Sequence, residues 1–132
     1  MRIGEVFSRS KYIDRIDSIR HQYGELSITH ILEKIMTRIV WGSIDANGGV
    51  LNGSGDFTVE RVDNGKYTVA FNPGFSKLPG VVASQNNFDQ TNQSNMDGVA
   101  IPFVNVNFCQ LNTGDDQHHL QNRSFAFIAI GD

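Results

Sequence analysis

Few residues in this chain of 132 have the types and spacing that chemistry requires. The densest group is Gly114-Asp115-Asp116 followed by His118-His119. Carboxylates and imidazoles this close together are metal-ligating and proton-transferring types. On a strand, adjacent histidines point to opposite faces, so one metal could not take both from one chain. One histidine from each of three subunits around a threefold axis could ring a metal instead. Gly-Asp-Asp is also an ordinary turn sequence. The reading adopted is an exposed loop that offers Asp115, Asp116, His118 and His119 to a ligand, with no metal and no cofactor.

A second group lies in the most polar stretch, Gln85 to Asn95. Asn86, Asn87, Phe88, Asp89, Gln90 and Asn92 combine amides and a carboxylate with one aromatic ring. Sugar hydroxyls need that combination: paired donors and acceptors, and an apolar face against the pyranose ring. Loops of this length in compact domains are often functional, although any surface loop is polar.

Other chemistries lack their residues. Cys109 lies in a predicted strand, where a small buried hydrophobe is the ordinary role, and pairing it with His118 or His119 needs a proximity that spacing does not supply. Asp89, Asp97, Asp115 and Asp116 could pair in space as a hydrolase would need, but nothing in the sequence pairs them. There is no phosphate loop, no dinucleotide fingerprint, no HExxH and no EF-hand loop. Asn52, Asn92 and Asn122 each begin an Asn-x-Ser sequence, as this composition produces by chance. No catalytic residue is expected, and an enzyme is not the reading.

The elements that must position these groups differ on either side of residue 40. Upstream, Ser8 or Ser10 can cap a helix in which Tyr12, Ile16, Ile19, Tyr23 and Leu26 recur at spacings of 4, 3, 4 and 3. Gly24 interrupts, Ser27 can cap again, and Ile28, Leu32, Ile35 and Ile39 run 4, 3, 4. The two stripes are out of phase by two residues, so the helix breaks or changes its winding near 24–27. Such a stripe is either a coiled-coil seam or an amphipathic helix docked on its own sheet. Isoleucine at both seam positions favours three strands or more. The interface candidates are therefore Ile16, Ile19, Tyr23, Ile28, Leu32, Ile35 and Ile39. Trp41, at the junction, is expected to pack.

Downstream the period becomes two. Strands are predicted near 38–45, 56–62, 66–72, 80–86, 99–111 and 122–130. Asn64-Gly65 between two alternating runs is the strongest hairpin signal, because both residues tolerate positive φ. Asn72-Pro73-Gly74 marks another turn, and Asn47-Gly48-Gly49 with Gly53-Ser54-Gly55 brackets a further connection. Val104, Val106 and Phe108 alternate with Asn105 and Asn107, which predicts a strand with a wet, amide-bearing face. The expected fold is mainly β: an antiparallel β-sandwich or jelly-roll-like head over 41–132, preceded by a helical oligomerisation or docking segment over 1–40.

Composition agrees with this division. All 12 Asn and all 3 Pro follow residue 40. Residues 1–40 carry 7 Lys/Arg and 5 Asp/Glu, a net of +2; residues 41–132 carry 4 and 9, a net of −5. The overall charge of −3 leaves no basic footprint for nucleic acid. No apolar run is long enough to span a bilayer. Met1 to Glu5 has no signal-peptide core, so synthesis in the cytoplasm is expected, with a virion or extracellular location reached by lysis or through an assembly.

The stretch from Gly53-Ser54-Gly55-Asp56-Phe57-Thr58-Val59 through Gly65-Lys66-Tyr67-Thr68-Val69-Ala70-Phe71, then Phe75, Pro79, Val81 and Val82, ending in the last apolar strand, resembles the β-sandwich heads at phage tail-fibre tips. It is also similar to the H-type lectin pattern. The resemblance covers roughly 41–131 and rests on core and turn residues. It implies a homotrimer, or a hexamer by stacking, that binds a glycan or a surface receptor, as part of a larger fibre or secretion assembly. It transfers no ligand residue. The alternative is a structural trimerisation or assembly subunit with no ligand of its own.

Overall fold

The computed structural model describes residues 37–132 together with Asp14, Arg15, Asp17, Ser18 and His21. Those five upstream residues have helical backbone and are exposed. The seam positions Ile16, Ile19, Tyr23, Ile28, Leu32 and Ile35 lie outside the described residues. The chain divides between Thr37 and Arg38.

Eight strands follow: β1 (Arg38–Ile44), β2 (Val50–Gly53), β3 (Phe57–Asp63), β4 (Lys66–Phe71), β5 (Gly80–Gln85), β6 (Gly98–Val104), β7 (Phe108–Gly114) and β8 (Phe125–Gly131). They form two four-stranded sheets, ordered β2-β1-β8-β5 and β3-β4-β7-β6, and every pairing is antiparallel. This is a β-sandwich.

Period-two patterning decides which side chains enter the core. In β4, Tyr67, Val69 and Phe71 are buried while Lys66, Thr68 and Ala70 are half-exposed. In β7, Cys109, Leu111 and Thr113 point inward, and in β8 so do Phe125, Phe127 and Ala129. With Val40, Ile44, Phe57 and Phe75 these side chains make one core. Its aromatic pairs meet edge to face: Phe57 with Phe127, Tyr67 with Phe125, Phe71 with Phe75. The two hydroxyls at this core, those of Tyr67 and Thr113, are satisfied. The Tyr67 hydroxyl donates to the Ala46 carbonyl at 2.6 Å, and Thr113 Oγ1 donates to the Gln121 carbonyl at 2.6 Å.

Several expectations need correction. Ile39, counted as the last position of a helical seam, is a strand residue of β1 paired with Ile130 of β8. The run Arg38-Ile39-Val40 satisfies its backbone in the sheet, where β-branched side chains fit. The single strand predicted over 99–111 is two. Asn105 Oδ1 accepts hydrogen bonds from the backbone N–H groups of Asn107 and Phe108, both at 2.8 Å, and turns the chain back. The stretch between Asn47 and Gly55, read as a connection, contains β2. Trp41 does not pack inward: it lies on the outer face of its sheet, 39% exposed.

Strand directions sort the connections between two ends. Turns 54–56, 72–79 and 105–107 lie at the end where β1 begins. Connections 45–49, 64–65, 86–97 and 115–124 lie together at the opposite end.

Candidate functional site

Three of the four connections at the far end, 64–65, 86–97 and 115–124, are tied to one another. Asn64 Nδ2 donates to the Leu120 carbonyl at 2.7 Å, and the Gly65 N–H donates to Asn122 Oδ1 at 2.7 Å. A Cβ on Gly65 would meet the Thr113 carbonyl oxygen at 2.6 Å, so only glycine fits beneath the crossing strand. The Asn86 N–H donates to the Ser124 carbonyl at 3.0 Å, and Ser124 Oγ donates back to the Asn86 carbonyl. Gln85 Nε2 bridges the Gly98 and Gly114 carbonyls at 2.8 and 2.7 Å.

Two of these loops share one design. Asp115 Oδ1 accepts from the N–H groups of Gln117 and His119, both at 2.9 Å, and the Asp115 N–H returns to the His119 carbonyl. Asp45 Oδ1 does the same for Asn47 and Gly49, and its N–H returns to the Gly49 carbonyl. The fourth residue has positive φ in each case: Gly48 at 90°, His118 at 68°. His118 thus holds a conformation that glycine adopts freely. The His119 backbone N–H, first among several contacts, holds the Asp115 carboxyl below its usual pKa. His119 Nδ1 also lies 3.4 Å from Asp115 Oδ2.

Loop 86–97 is a chain of short turns: the Phe88 N–H reaches the Asn86 carbonyl, Gln90 reaches Asn87, and Gln93 reaches Gln90. The result is a groove of about 420 Å³ in which Asn87, Phe88, Gln90 and Gln93 face Asn122 and Arg123 of the next loop. Phe88 is 54% exposed, so its ring is free to stack. A second groove of about 410 Å³ lies between Met96 and Gly98 on one side and Asp115, His118 and His119 on the other. Two buried oxygens at this end, Gln85 Oε1 and Asp97 Oδ2, have no hydrogen-bond partner among the described residues.

Of the ligand candidates, Asn87, Phe88 and Gln90 line the first groove, and Asp115, His118 and His119 the second. Asn86 is tied to Ser124, and Asp89, Asn92 and Asp116 are exposed beside the grooves without lining them. Sequence reading missed Gln93, Asn122 and Arg123. Asn122 stood out only as part of an Asn-x-Ser sequence, and no local pattern shows that it sits beside residue 87.

No group of three His, Cys, Asp or Glu among the described residues could hold a metal ion. Cys109 is fully buried in β7, and burial pushes its thiol up to about 12, far from a nucleophile's range. Asp45, Asp63, Asp89, Asp97, Asp115 and Asp116 all lie at this end, against Arg61, Lys66 and Arg123. Among the described residues no helix is long and apolar enough to cross a membrane. No family model matches the chain, and no curated protein and no solved structure matches it.

Proposed function

We propose that this chain is a non-enzymatic binding module whose loop end takes a neutral, hydroxyl-rich ligand, a glycan or glycan-bearing surface receptor. The observation that supports this reading most is the groove where the exposed Phe88 ring stands among amides of two loops, Asn87, Gln90 and Gln93 facing Asn122. An aromatic face with paired amide donors and acceptors suits a sugar ring. Arg123 gives the groove itself a positive charge, and the aspartates elsewhere at this end oppose polyanionic ligands. A homotrimer held by the N-terminal stripe, as the tail-fibre-like resemblance implies, presents three copies and turns weak contacts into avidity. On this reading the module works on the outside of a virion or cell, as part of a fibre or secretion assembly.

The test is a glycan array probed with the full chain clustered on a multivalent support. Binding to at least one neutral glycan class is expected, and Phe88→Ala or Asn87→Ala should weaken it about tenfold with the fold unchanged. Absence of binding by the clustered chain points instead to an assembly subunit without a ligand, and binding indifferent to both substitutions places the ligand away from the Phe88 groove.

A further inference from the structure

An asparagine followed by glycine can react with its own backbone. The glycine nitrogen attacks the side-chain carboxamide carbon, ammonia leaves, and water opens the resulting succinimide. Glycine permits this because it has no side chain to block the approach and leaves the backbone free to fold back. The chain has three such pairs: Asn47-Gly48, Asn52-Gly53 and Asn64-Gly65. All three asparagines are exposed, so exposure does not rank them. The engagement of each glycine N–H and each carboxamide does.

At Asn64-Gly65 the two reacting groups are held by other partners. Gly65 is buried and its N–H donates to Asn122 Oδ1 at 2.7 Å, while Asn64 Nδ2 donates to the Leu120 carbonyl at 2.7 Å. At Asn47-Gly48 the Gly48 N–H belongs to a turn and donates to the Asp45 carbonyl at 3.0 Å. At Asn52-Gly53 the Gly53 N–H donates to Oδ1 of Asn52 itself, at 2.9 Å. The carboxamide carbon is one C=O bond from that oxygen, so it lies at most about 4 Å from the attacking nitrogen. That is close to the separation from which positioned groups react. The pair also ends β2, an edge strand. The Ser54 N–H donates to the Trp41 carbonyl at 2.9 Å, and strand alternation turns the Gly53 N–H the other way, toward the open edge.

We propose that Asn52 is a site of spontaneous covalent modification, the first asparagine of the folded chain to convert. Hydroxide takes the Gly53 amide proton and the nitrogen forms a bond to Asn52 Cγ. The Cγ–Nδ2 bond breaks, its electron pair leaves on nitrogen, and a proton from water completes ammonia. Water then adds to one of the two succinimide carbonyls, and ring opening gives aspartate or isoaspartate. Nothing is oxidised or reduced, and either product adds a negative charge. Isoaspartate also puts an extra methylene into the backbone, inside the ladder where Ser43 pairs with Asn52 and Gly42 with Gly53. The Phe57 ring is packed against Gly53 so closely that a Cβ there would lie 2.7 Å from it. A lengthened backbone at this point loosens β2 over that ring. The conversion thus records the age of the chain and weakens an outer strand.

The experiment warms the full-length chain at mildly alkaline pH, folded or in urea, and follows each Asn-Gly peptide by mass spectrometry with fragmentation that separates isoaspartate from aspartate. In the folded chain Asn52 should convert several times faster than Asn47 and Asn64. In urea the three should convert at like rates, because unfolding frees every pair. Equal rates in the folded chain, or a lead by Asn47 or Asn64, overturns the proposal. A lead by Asn52 that persists unchanged in urea also overturns it, because the preference then belongs to the sequence and not to the fold. The purified isoaspartyl chain should unfold at a lower urea midpoint than Asn52→Asp, which carries the charge without the methylene. Equal midpoints overturn the loosening of β2.

Discussion

Gly42 of β1 stands directly opposite Gly53 of β2, and the Phe57 ring fills the space that two side chains would otherwise occupy. A Cβ on Gly42 would lie 2.5 Å from Phe57 Cζ and 2.9 Å from Phe127 Cε1, and one on Gly53 would lie 2.7 Å from the Phe57 ring and from the Trp41 carbonyl oxygen. Phe57 and Phe127 meet edge to face at 5.0 Å, so neither ring can retreat without breaking that contact. Gly42→Ala should therefore destabilise the sandwich by about 1–3 kcal/mol, the usual cost of overpacking. A lower urea midpoint at unchanged m checks it, and Phe57→Leu in the same chain should restore part of the loss. An unshifted midpoint for Gly42→Ala would show that the ring moves aside freely.

Arg38 clamps the end where β1 begins. Its Nε meets Asp56 Oδ2 at 3.1 Å, its Nη1 donates to the Pro73 and Gly74 carbonyls at 2.6 and 3.2 Å, and its guanidinium lies 4.8 Å from the Phe75 centroid. Lysine cannot reproduce that fork, so Arg38→Lys should cost about 1–2 kcal/mol. Burial opposes the ionisation of Asp56, but hydrogen bonds from Ser54 and Arg38 outweigh it and hold the carboxyl below its ordinary 3.8. A carboxyl depressed in the folded state adds stability above the unfolded value, and that part is lost as pH falls through the folded value. Stability should therefore decline below about pH 4, and less steeply in Arg38→Met. Parallel acid titrations of the two chains would detach Asp56 from the clamp.

The Asp115 loop separates stability from binding. His118 has φ of 68°, where the matching residue of the Asp45 loop is Gly48. His118→Gly should leave the melting temperature unchanged or raise it slightly, since the left-handed conformation then carries no side-chain strain. Asp115→Ala should lower it, because the Gln117 and His119 N–H groups lose their acceptor. If the imidazole contacts ligand, His118→Gly weakens binding while the fold holds. A clear drop in melting temperature for His118→Gly would mean that its side chain supports the loop.

Much of this fold is legible in the sequence where local pattern and tertiary demand agree. Tyr67, Val69 and Phe71 alternate with polar neighbours, and Asn64-Gly65 turns the chain between β3 and β4. The pattern misleads at 104–108, where Val104, Val106 and Phe108 keep period two through a turn. There the Asn105 side chain competes with the ladder for backbone N–H groups, and periodicity does not register that competition. Trp41 misleads for another reason. Alternation places it on one face of β1 but does not reveal which face is covered. The site was half legible: residue types singled out Phe88 and Asn87, whereas Asn122 and Arg123 join them only through the return of β8 between β1 and β5.

Cys109 offers a probe of the whole sandwich. It lies on β7 opposite Val69 of β4 and Val104 of β6, fully buried, and burial pushes its thiol up to about 12. At pH 8 roughly one thiol in ten thousand is then ionised in the folded chain, and a reagent must also reach the core. Native protein should react with a disulfide reagent only as fast as the sandwich opens, and unfolded protein at once. The linkage runs toward alkaline destabilisation. A thiol raised in the folded state contributes stability below its unfolded value near 9, and that contribution is lost as pH rises toward 12. Cys109→Ala should flatten this alkaline decline at the cost of a small cavity. Labelling of the native chain at the rate of a free thiol would place Cys109 at the surface and break the inward register of β7.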